Sequence, residues 1–419
     1  MIVYGLLLDD PASPPTPGWL CIDKGRIAER HEGDRPPDQR DMVGGSTCII
    51  CPGFIDAHTH LPQFDAVGCD GLPLLAWLDR VIYPAESWWG RTGGVRLATK
   101  ALESLLHQGT LGAAGYLTSH GEAAWDAVQL ALRGASGASP LRMILGRVAM
   151  DREAPDDLTR EDRERIGETP TRSPVLPATP DGSRCEVSAN PRFAVACSAE
   201  LLAEIGWVCE KTLNLCVQTH LAESRAEVER VAALFPDDAN YTSVYDRFSL
   251  LRERSLLAHC VHLSSEEWEI IAKRKSVAVH CPTANMFLRS GLFDLDAARE
   301  HGVRLALGSD VAAGSDVAMP RVARAMIETA KARALTIAPN AHIPTPAEVW
   351  RLITQGNAQA LGWSDAGALD VGASADLLVL RTPETWLDEH LVGRLLYNWS
   401  PSLIETRVVA GAIAHVNTM

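Results

Sequence analysis

The segment CPGFIDAHTH, residues 51–60, begins as a short apolar run and ends in two histidines one residue apart. Alternate side chains of a β-strand lie on the same face. A strand over 54–60 therefore directs His58 and His60 to one side at its carboxyl end. Two imidazoles at one point make half of a metal site. The segment predicts a strand that carries two metal ligands, and the remaining ligands must come from elsewhere in the chain.

The central region of the chain alternates between strand and helix patterns. Its apolar runs predict strands at 54–60, 112–118, 143–149, 187–193, 215–221, 255–261, 276–282 and 304–310. Eight strands alternating with helices indicate an α/β fold, a (β/α)8 TIM-like barrel. The segment 167–184 contains four prolines, which exclude a regular helix there. We therefore expect an irregular barrel between the third and fourth strands.

Both ends of the chain contain short apolar stretches separated by turn residues. Residues 1–50 resemble in pattern the tail segments ADLLVLR at 375–381 and TRVVAGAIAHVN at 406–417. Neither end is long enough to bury its own core. We predict a small β-sandwich domain formed by both termini, with 1–50 as its first part and 361–419 as its second, around a catalytic barrel at 51–360.

Composition excludes several classes of partner. The net charge of −14 argues against nucleic acid, because proteins that bind polyanions carry a basic patch. No apolar run is long enough to span a bilayer, and the start MIVYGLLLDDP lacks the features of a signal peptide. We expect a cytoplasmic protein with no membrane partner. The ten cysteines then pack as small hydrophobic residues rather than form a disulfide framework.

The remaining candidate ligands lie at the carboxyl ends of later predicted strands. The carboxyl ends of barrel strands meet on one face, so ionisable side chains there converge on one pocket. Three neutral imidazoles and one carboxylate suit zinc or iron, whereas magnesium and calcium prefer oxygen ligands. We predict one divalent metal per chain, with zinc favoured over iron. Its predicted ligands are His58, His60, His220 and Asp310.

Two further residues at these strand ends suit the chemistry of a hydrolytic metal site. A metal-bound water ionises near neutral pH and becomes a nucleophile. Glu223, three residues after His220, is placed to accept the proton of that water and pass it on. His259, at the end of the sixth strand, is placed to hold the hydroxide or polarise developing charge.

Several motifs resemble a known superfamily. PGFIDAHTH at 52–60, THLAE at 219–223, LAHC at 257–260 and LGSD at 307–310 are similar to those of the amidohydrolase superfamily. The fourth strand ends in PRF, without the lysine of two-metal members, which resembles the one-metal deaminase branch. Within that branch, the resemblance narrows to the guanine deaminase family. The segments that carry it include HTHLPQ (58–63), YPAE (83–86), PRFAVACS (191–198) and HCPTANMFLRSGLF (280–293).

The resemblance implies a reaction and a set of roles. The reaction is hydrolytic deamination of guanine to xanthine and ammonia by a metal-bound hydroxide, within purine catabolism. Glu223 is then the proton shuttle, assisted by His259 and Asp310. Gln63, Arg192 and Phe193 match the positions that hold the purine, since they offer an amide, a planar fork of donors and a stacking face. The resemblance also implies a homodimer.

Other functions remain open at this stage. Arg289, in a segment where the family is expected to have glycine, would admit another aminated heterocycle, such as a pterin, 8-oxoguanine or a triazine. A cyclic-amide hydrolase is a different class, and the missing lysine at the fourth strand argues against it. An inactive scaffold is a third alternative. The complete ligand set and Glu223 argue against that alternative.

Overall fold

The protein was analysed as a computed structural model that describes residues 1–33, 42–90, 94–134, 140–166 and 173–414. Its strands fall into a terminal sheet and a barrel. In chain order they are β1 (Ile2–Leu7), β2 (Thr16–Asp23), β3 (Arg26–Glu32), β4 (Met42–Pro52), β5 (Phe54–His60), β6 (Thr110–Tyr116), β7 (Arg142–Gly146), β8 (Val148–Ala149), β9 (Cys185–Pro191), β10 (Cys216–Leu221), β11 (Ser255–His259), β12 (Val277–His280), β13 (Arg304–Leu307), β14 (Leu377–Arg381), β15 (Ile404–Val409) and β16 (Ala412–Ala414).

Helices connect the barrel strands and cover their outer face. They are α1 (Leu74–Trp77), α2 (Tyr83–Trp88), α3 (Gly94–His107), α4 (Gly121–Arg133), α5 (Asp156–Ile166), α6 (Ala199–Lys211), α7 (Arg225–Leu234), α8 (Tyr241–Arg247), α9 (Ser265–Arg274), α10 (Pro282–Phe287), α11 (Leu295–Glu300), α12 (Met319–Thr336), α13 (Pro346–Arg351), α14 (Asn357–Ala360) and α15 (Leu391–Tyr397). Single π-helical turns at Leu78–Ile82 and Leu352–Gly356 join α1 to α2 and α13 to α14. None of the helices in the described residues combines the length and apolarity needed to cross a bilayer.

Eight parallel strands form a nearly closed barrel, which confirms the predicted fold. Their order is β5-β6-β7-β9-β10-β11-β12-β13, and the short β8 pairs only with β9. Strands β5 and β6 are buried along their whole length, as expected when helices cover the outside of a parallel sheet. At the closing edge, the backbone N–H of Asp310 donates to the carbonyl of His58 at 2.8 Å. This contact brings the ends of the first and last strands together.

The terminal sheet joins both ends of the chain, as predicted. Its seven strands have the order β16-β15-β14-β4-β1-β2-β3, so β4 lies between a strand from each end. β4 pairs with β1 in parallel and with β14 in antiparallel orientation. The chain passes from β4 through Gly53 directly into β5, and a Cβ at Gly53 would lie 2.5 Å from the Leu111 side chain. The terminal sheet is therefore coupled to the strand that carries His58 and His60.

The connection between the third and fourth barrel strands has two parts. Helix α5 (Asp156–Ile166) follows β8 and precedes the proline-rich segment. Residues 173–184 contain neither helix nor strand, as their prolines predicted, and 167–172 lie outside the described residues. The helical turns between these strands lie just upstream of the prolines, in α5. The domain boundaries at residues 50 and 360 remain predictions from the sequence.

Candidate active site

Four side chains meet at the carboxyl end of the barrel. The Nε2 atoms of His58 and His60 lie 3.3 Å apart, and each lies 3.2 Å from Oδ1 of Asp310. Nε2 of His220 lies 3.2 Å from Nε2 of His60. The sequence predicted these residues as ligands: His58 and His60 end β5, His220 lies in β10, and Asp310 follows β13. The structure brings all four together, and their ligand atoms lie within 4.8 Å of one another.

The geometry and chemistry of this cluster fit a single metal ion. Two nitrogen ligands bound to a tetrahedral zinc are about 3.3 Å apart, which matches the spacing of the cluster. His220 Nδ1 lies 2.6 Å from the carbonyl oxygen of Arg192, so Nδ1 carries the proton and the Nε2 lone pair faces the cluster. Three imidazoles packed this closely repel one another if protonated. Burial first, and then neighbouring histidines, lower the pKa of His220 well below its ordinary value.

A second possible metal group shares two of these residues. His58 and Asp310 also lie close to His259 and Cys281, again with ligand atoms within 4.8 Å. Burial first, and then the Asp310 carboxylate, raise the pKa of the Cys281 thiol well above its ordinary value. Metals bind the thiolate, whereas the Cys281 thiol donates to the carbonyl oxygen of Val279 at 3.7 Å. The set of three histidines and Asp310 is therefore the better match to a metal centre.

Asp56 holds the ends of the first and last strands in register beneath the cluster. Its Oδ1 accepts from the backbone N–H groups of His58 at 3.1 Å and Ser309 at 2.9 Å, and its Oδ2 accepts from Ser309 Oγ. Gly308 lies against the same backbone, because a Cβ there would come within 2.6 Å of the His58 Cβ. A side chain at position 308 would displace His58, which explains the glycine of the LGSD motif.

Glu223 and His259 lie beside the cluster. Nε2 of His259 lies 3.4 Å from Oε2 of Glu223 and 3.7 Å from Oδ2 of Asp310. Glu223 Oε1 accepts from Ser290 Oγ at 2.9 Å. Burial, followed by the nearby Asp310 carboxylate, raises the pKa of Glu223 to about 8. A carboxyl group with such a pKa can both accept and release a proton near neutral pH.

A cavity of about 390 Å³ opens beside these groups. Its walls combine the polar cluster with an apolar rim, as small-molecule sites commonly do. The three predicted ring-binding residues, Gln63, Arg192 and Phe193, all line it. Further lining residues are His60, Leu74, Trp77, Leu78, His220, Glu223, His259, Leu288, Asp310 and Ala313.

Sequence reasoning missed three residues that organise this cavity and overestimated one. Glu86 is fully buried and bonds both Gln63 and Arg192. Asn285 forms a hydrogen bond with His259, and Ser290 forms one with Glu223. The sequence signals for Glu86 were its place in the YPAE segment, 83–86, and a carboxylate within the otherwise uncharged run VIYPAESWW. Arg289 is exposed and is not among the residues lining the cavity, so the observation that suggested a larger heterocycle loses its structural basis.

A barrel with three histidines and an aspartate at its strand ends defines a class of metal-dependent hydrolases. The sequence profile of the Amidohydrolase family matches residues 49–410, and the chain belongs to that family. It is 31% identical to the guanine deaminase of Escherichia coli K12 over 93% of this chain and 85% of that protein. It is 32% identical to the guanine deaminase of Dictyostelium discoideum over 70% of this chain and 64% of that protein.

Solved structures agree with this assignment. A guanine deaminase from C. acetobutylicum, crystallised with guanine in its active site, superposes with a TM-score of 0.84 and 25% identity. The match covers 99% of both chains, so it includes the terminal sheet as well as the barrel. Family and relatives together make this chain an enzyme, a hydrolytic deaminase.

Proposed function

We propose that the protein deaminates guanine by hydrolysis, giving xanthine and ammonia. One observation carries the proposal: a single cavity is lined at once by the metal-ligand cluster, by Glu223 and by Gln63, Arg192 and Phe193. The relatives named guanine deaminases and the related structure with bound guanine support the choice of ring. The exposed position of Arg289 removes the reason to prefer a larger heterocycle.

His58, His60, His220 and Asp310 would hold one divalent metal, and zinc suits three imidazoles and a carboxylate best, although iron also fits. Such an ion supplies Lewis acidity, which lowers the pKa of a coordinated water to about 7. The protein itself contributes the positioning of the ring and the movement of protons.

Glu223 moves protons between the water and the ring. Its carboxylate takes a proton from the attacking water and delivers it to ring nitrogen N3 while the oxygen bonds to C2. Nε2 of His259 accepts a hydrogen bond from the O–H newly attached to C2, and Asp310, whose Oδ2 lies 3.7 Å from that Nε2, takes this proton and relays it to the departing amine. The C2–N bond then breaks, ammonia leaves and the C2 carbonyl of xanthine remains. The pKa of about 8 suits Glu223 to both halves of this transfer.

The far wall of the cavity holds the ring. Arg192 offers guanidinium N–H donors to the carbonyl oxygen and ring nitrogen of guanine, which are acceptors. Gln63 offers both a donor and an acceptor through its amide. Phe193 lines the same cavity and offers a stacking face. These groups orient the exocyclic amine toward the metal cluster.

Ammonia release from guanine by purified protein with measured metal content tests the proposal. Glu223→Gln keeps the size of the side chain but removes its proton transfer, so we expect kcat to fall by about a hundredfold or more. Glu229→Gln is the matched control, because Glu229 is an exposed residue of α7. The control is expected to retain native activity.

Substrate and site can be distinguished in the same assay. Pterin, 8-oxoguanine and an aminated triazine are tested alongside guanine at equal concentration. Ammonia from one of these rings but not from guanine would contradict the proposed substrate while leaving the hydrolytic site in place. Full activity of Glu223→Gln on guanine would contradict the role of Glu223.

Assembly and location stay predictions from the sequence. Light scattering of the purified protein tests the predicted homodimer. Fractionation of the source cells tests the predicted cytoplasmic location, and purine analysis of cells that lack the protein tests its place in purine catabolism.

A further inference from the structure

A buried carboxylate joins the two polar ring-binding side chains from behind. Glu86 Oε1 accepts from Gln63 Nε2 at 2.9 Å, and Glu86 Oε2 accepts from an Arg192 N–H at 2.6 Å. Glu86 is fully buried, while Gln63 and Arg192 are 3% and 2% exposed. Glu86 does not line the cavity itself. It therefore acts on a bound ring only through its two partners.

The first consequence concerns the orientation of the Gln63 amide. Gln63 Oε1 accepts from the backbone N–H of Ala312 at 3.3 Å, on the side opposite Glu86. If the Gln63 amide were reversed, its oxygen would face the Glu86 carboxylate and its NH₂ group would face the backbone N–H of Ala312. Both contacts therefore favour the observed orientation. One N–H and one lone pair of the amide remain for a ligand. Glu86 thus fixes where Gln63 offers a donor and where it offers an acceptor.

The second consequence concerns charge. Glu86 is the acidic partner of Arg192 among the described residues. The guanidinium also lies 5.2 Å above the Tyr83 ring, but burial raises the pKa of Tyr83 to about 12, so the phenol carries no charge near neutral pH. The Arg192–Glu86 pair is therefore neutral as a unit. It presents N–H donors to the cavity without presenting a net positive charge.

We propose that Glu86 is a positioning residue that makes the cavity selective for uncharged purine rings, by orienting Gln63 and cancelling the charge of Arg192. The inference rests on the proposed function, because it concerns how the ring of that substrate is recognised. An unpaired buried guanidinium would attract an anionic ring strongly, since Coulomb interactions inside proteins are only weakly screened.

The variant Glu86→Gln tests this directly, because it removes the charge and changes the volume little. Urate is the anionic probe: it is a purine with no amine at C2 and carries a negative charge at neutral pH. We expect the KM for guanine to rise about tenfold or more, with a smaller change in kcat. The dissociation constant of urate, measured by calorimetry, is expected to fall by about tenfold. Glu229→Gln is expected to match native protein in both measurements.

A second variant separates charge from orientation. Glu86→Asp keeps the charge but is one methylene too short to reach both Gln63 and Arg192 as Glu86 does. We expect a raised KM for guanine with urate affinity within about twofold of native protein. If Glu86→Gln fails to fold, which circular dichroism and metal content would reveal, Glu86→Asp still tests the orientation of Gln63, because a native KM for guanine in this variant would overturn that part of the inference.

Unchanged KM and unchanged urate affinity in a folded Glu86→Gln variant would overturn the inference. An equal fall in the dissociation constant of urate in Glu86→Asp and Glu86→Gln would overturn the charge argument as well. Native protein that releases no ammonia from guanine would instead contradict the proposed function. The urate measurement still tests Glu86 in that case, because it depends on binding and not on turnover.

Discussion

At the scale of single residues, one hydrogen bond fixes which ring nitrogen of His259 carries the proton. Nδ1 of His259 lies 2.9 Å from Oδ1 of Asn285, an atom that only accepts. The proton therefore resides on Nδ1, and the Nε2 lone pair faces Glu223 and Asp310 at 3.4 and 3.7 Å. Asn285 follows β12, so it lies on a different strand-loop unit from His259. Its contribution depends on neighbouring units of the barrel being in register.

We predict that Asn285→Ala lowers kcat by about tenfold to a hundredfold with little change in KM, because His259 loses its fixed tautomer. Asn285→Asp keeps an acceptor oxygen and is expected to retain more activity than Asn285→Ala. Steady-state kinetics with metal content checked for each variant measures both effects. Asn340→Ala, on an exposed loop, serves as the control. A parallel loss in the Asp variant would contradict the tautomer argument.

At the scale of elements, helices α7 and α9 begin in the same way. Each has a capping box, Ser224 with Glu227 and Ser264 with Glu267, in which the glutamate accepts from the backbone N–H of the serine. Each glutamate also reaches α8: Glu227 accepts from the Tyr241 hydroxyl, and Glu267 from Thr242. They differ in the second backbone donor: Glu267 Oε1 also accepts from the backbone N–H of Thr242 at 3.1 Å. Glu227 Oε2 also accepts from the backbone N–H of Glu223 at 2.8 Å.

This pair of helices gives a matched experiment. We predict that Glu227→Gln and Glu267→Gln each lower the free energy of unfolding by about 1–3 kcal/mol, because each disturbs a buried hydrogen-bonded cap. Only Glu227→Gln is expected to lower kcat, by about tenfold, since it alone releases the backbone that places Glu223. Urea unfolding and steady-state kinetics measure the two quantities. Equal kcat in the two variants would show that the cap of α7 has no part in placing Glu223.

At the scale of the whole molecule, the barrel was predictable because each parallel strand is a short apolar run bounded by turns. The eight predicted strands and the terminal β domain were confirmed, and the four predicted ligands lie together because barrel strand ends share one face. Glu86 and Asn285 were not predicted, since their partners lie 23 or more residues away in the chain. Only the folded register shows which distant segments make such contacts.

The same register makes the metal-ligand cluster a link across the whole fold. Its members come from the first, fifth and eighth strands, so a bound ion would join the opening of the barrel, its middle and its closing strand. The imidazole nitrogens that face this point lie 3.2–3.3 Å apart, so a cation bound among them offsets the repulsion between their lone pairs. Because an ion binds this arrangement and not the unfolded chain, its binding free energy adds to the stability of the fold.

We predict that removing metal with a chelator lowers the Tm by several degrees and that added zinc restores it. A free metal concentration a thousand times the Kd adds about 4 kcal/mol to the free energy of unfolding. His60→Ala lacks one ligand and is expected to lose most of the zinc-dependent shift, whereas His390→Ala, at an exposed position, keeps it. Differential scanning calorimetry across a zinc titration measures the shift. If His60→Ala and the native protein gave the same shift, zinc would be stabilising the fold from a site other than this cluster.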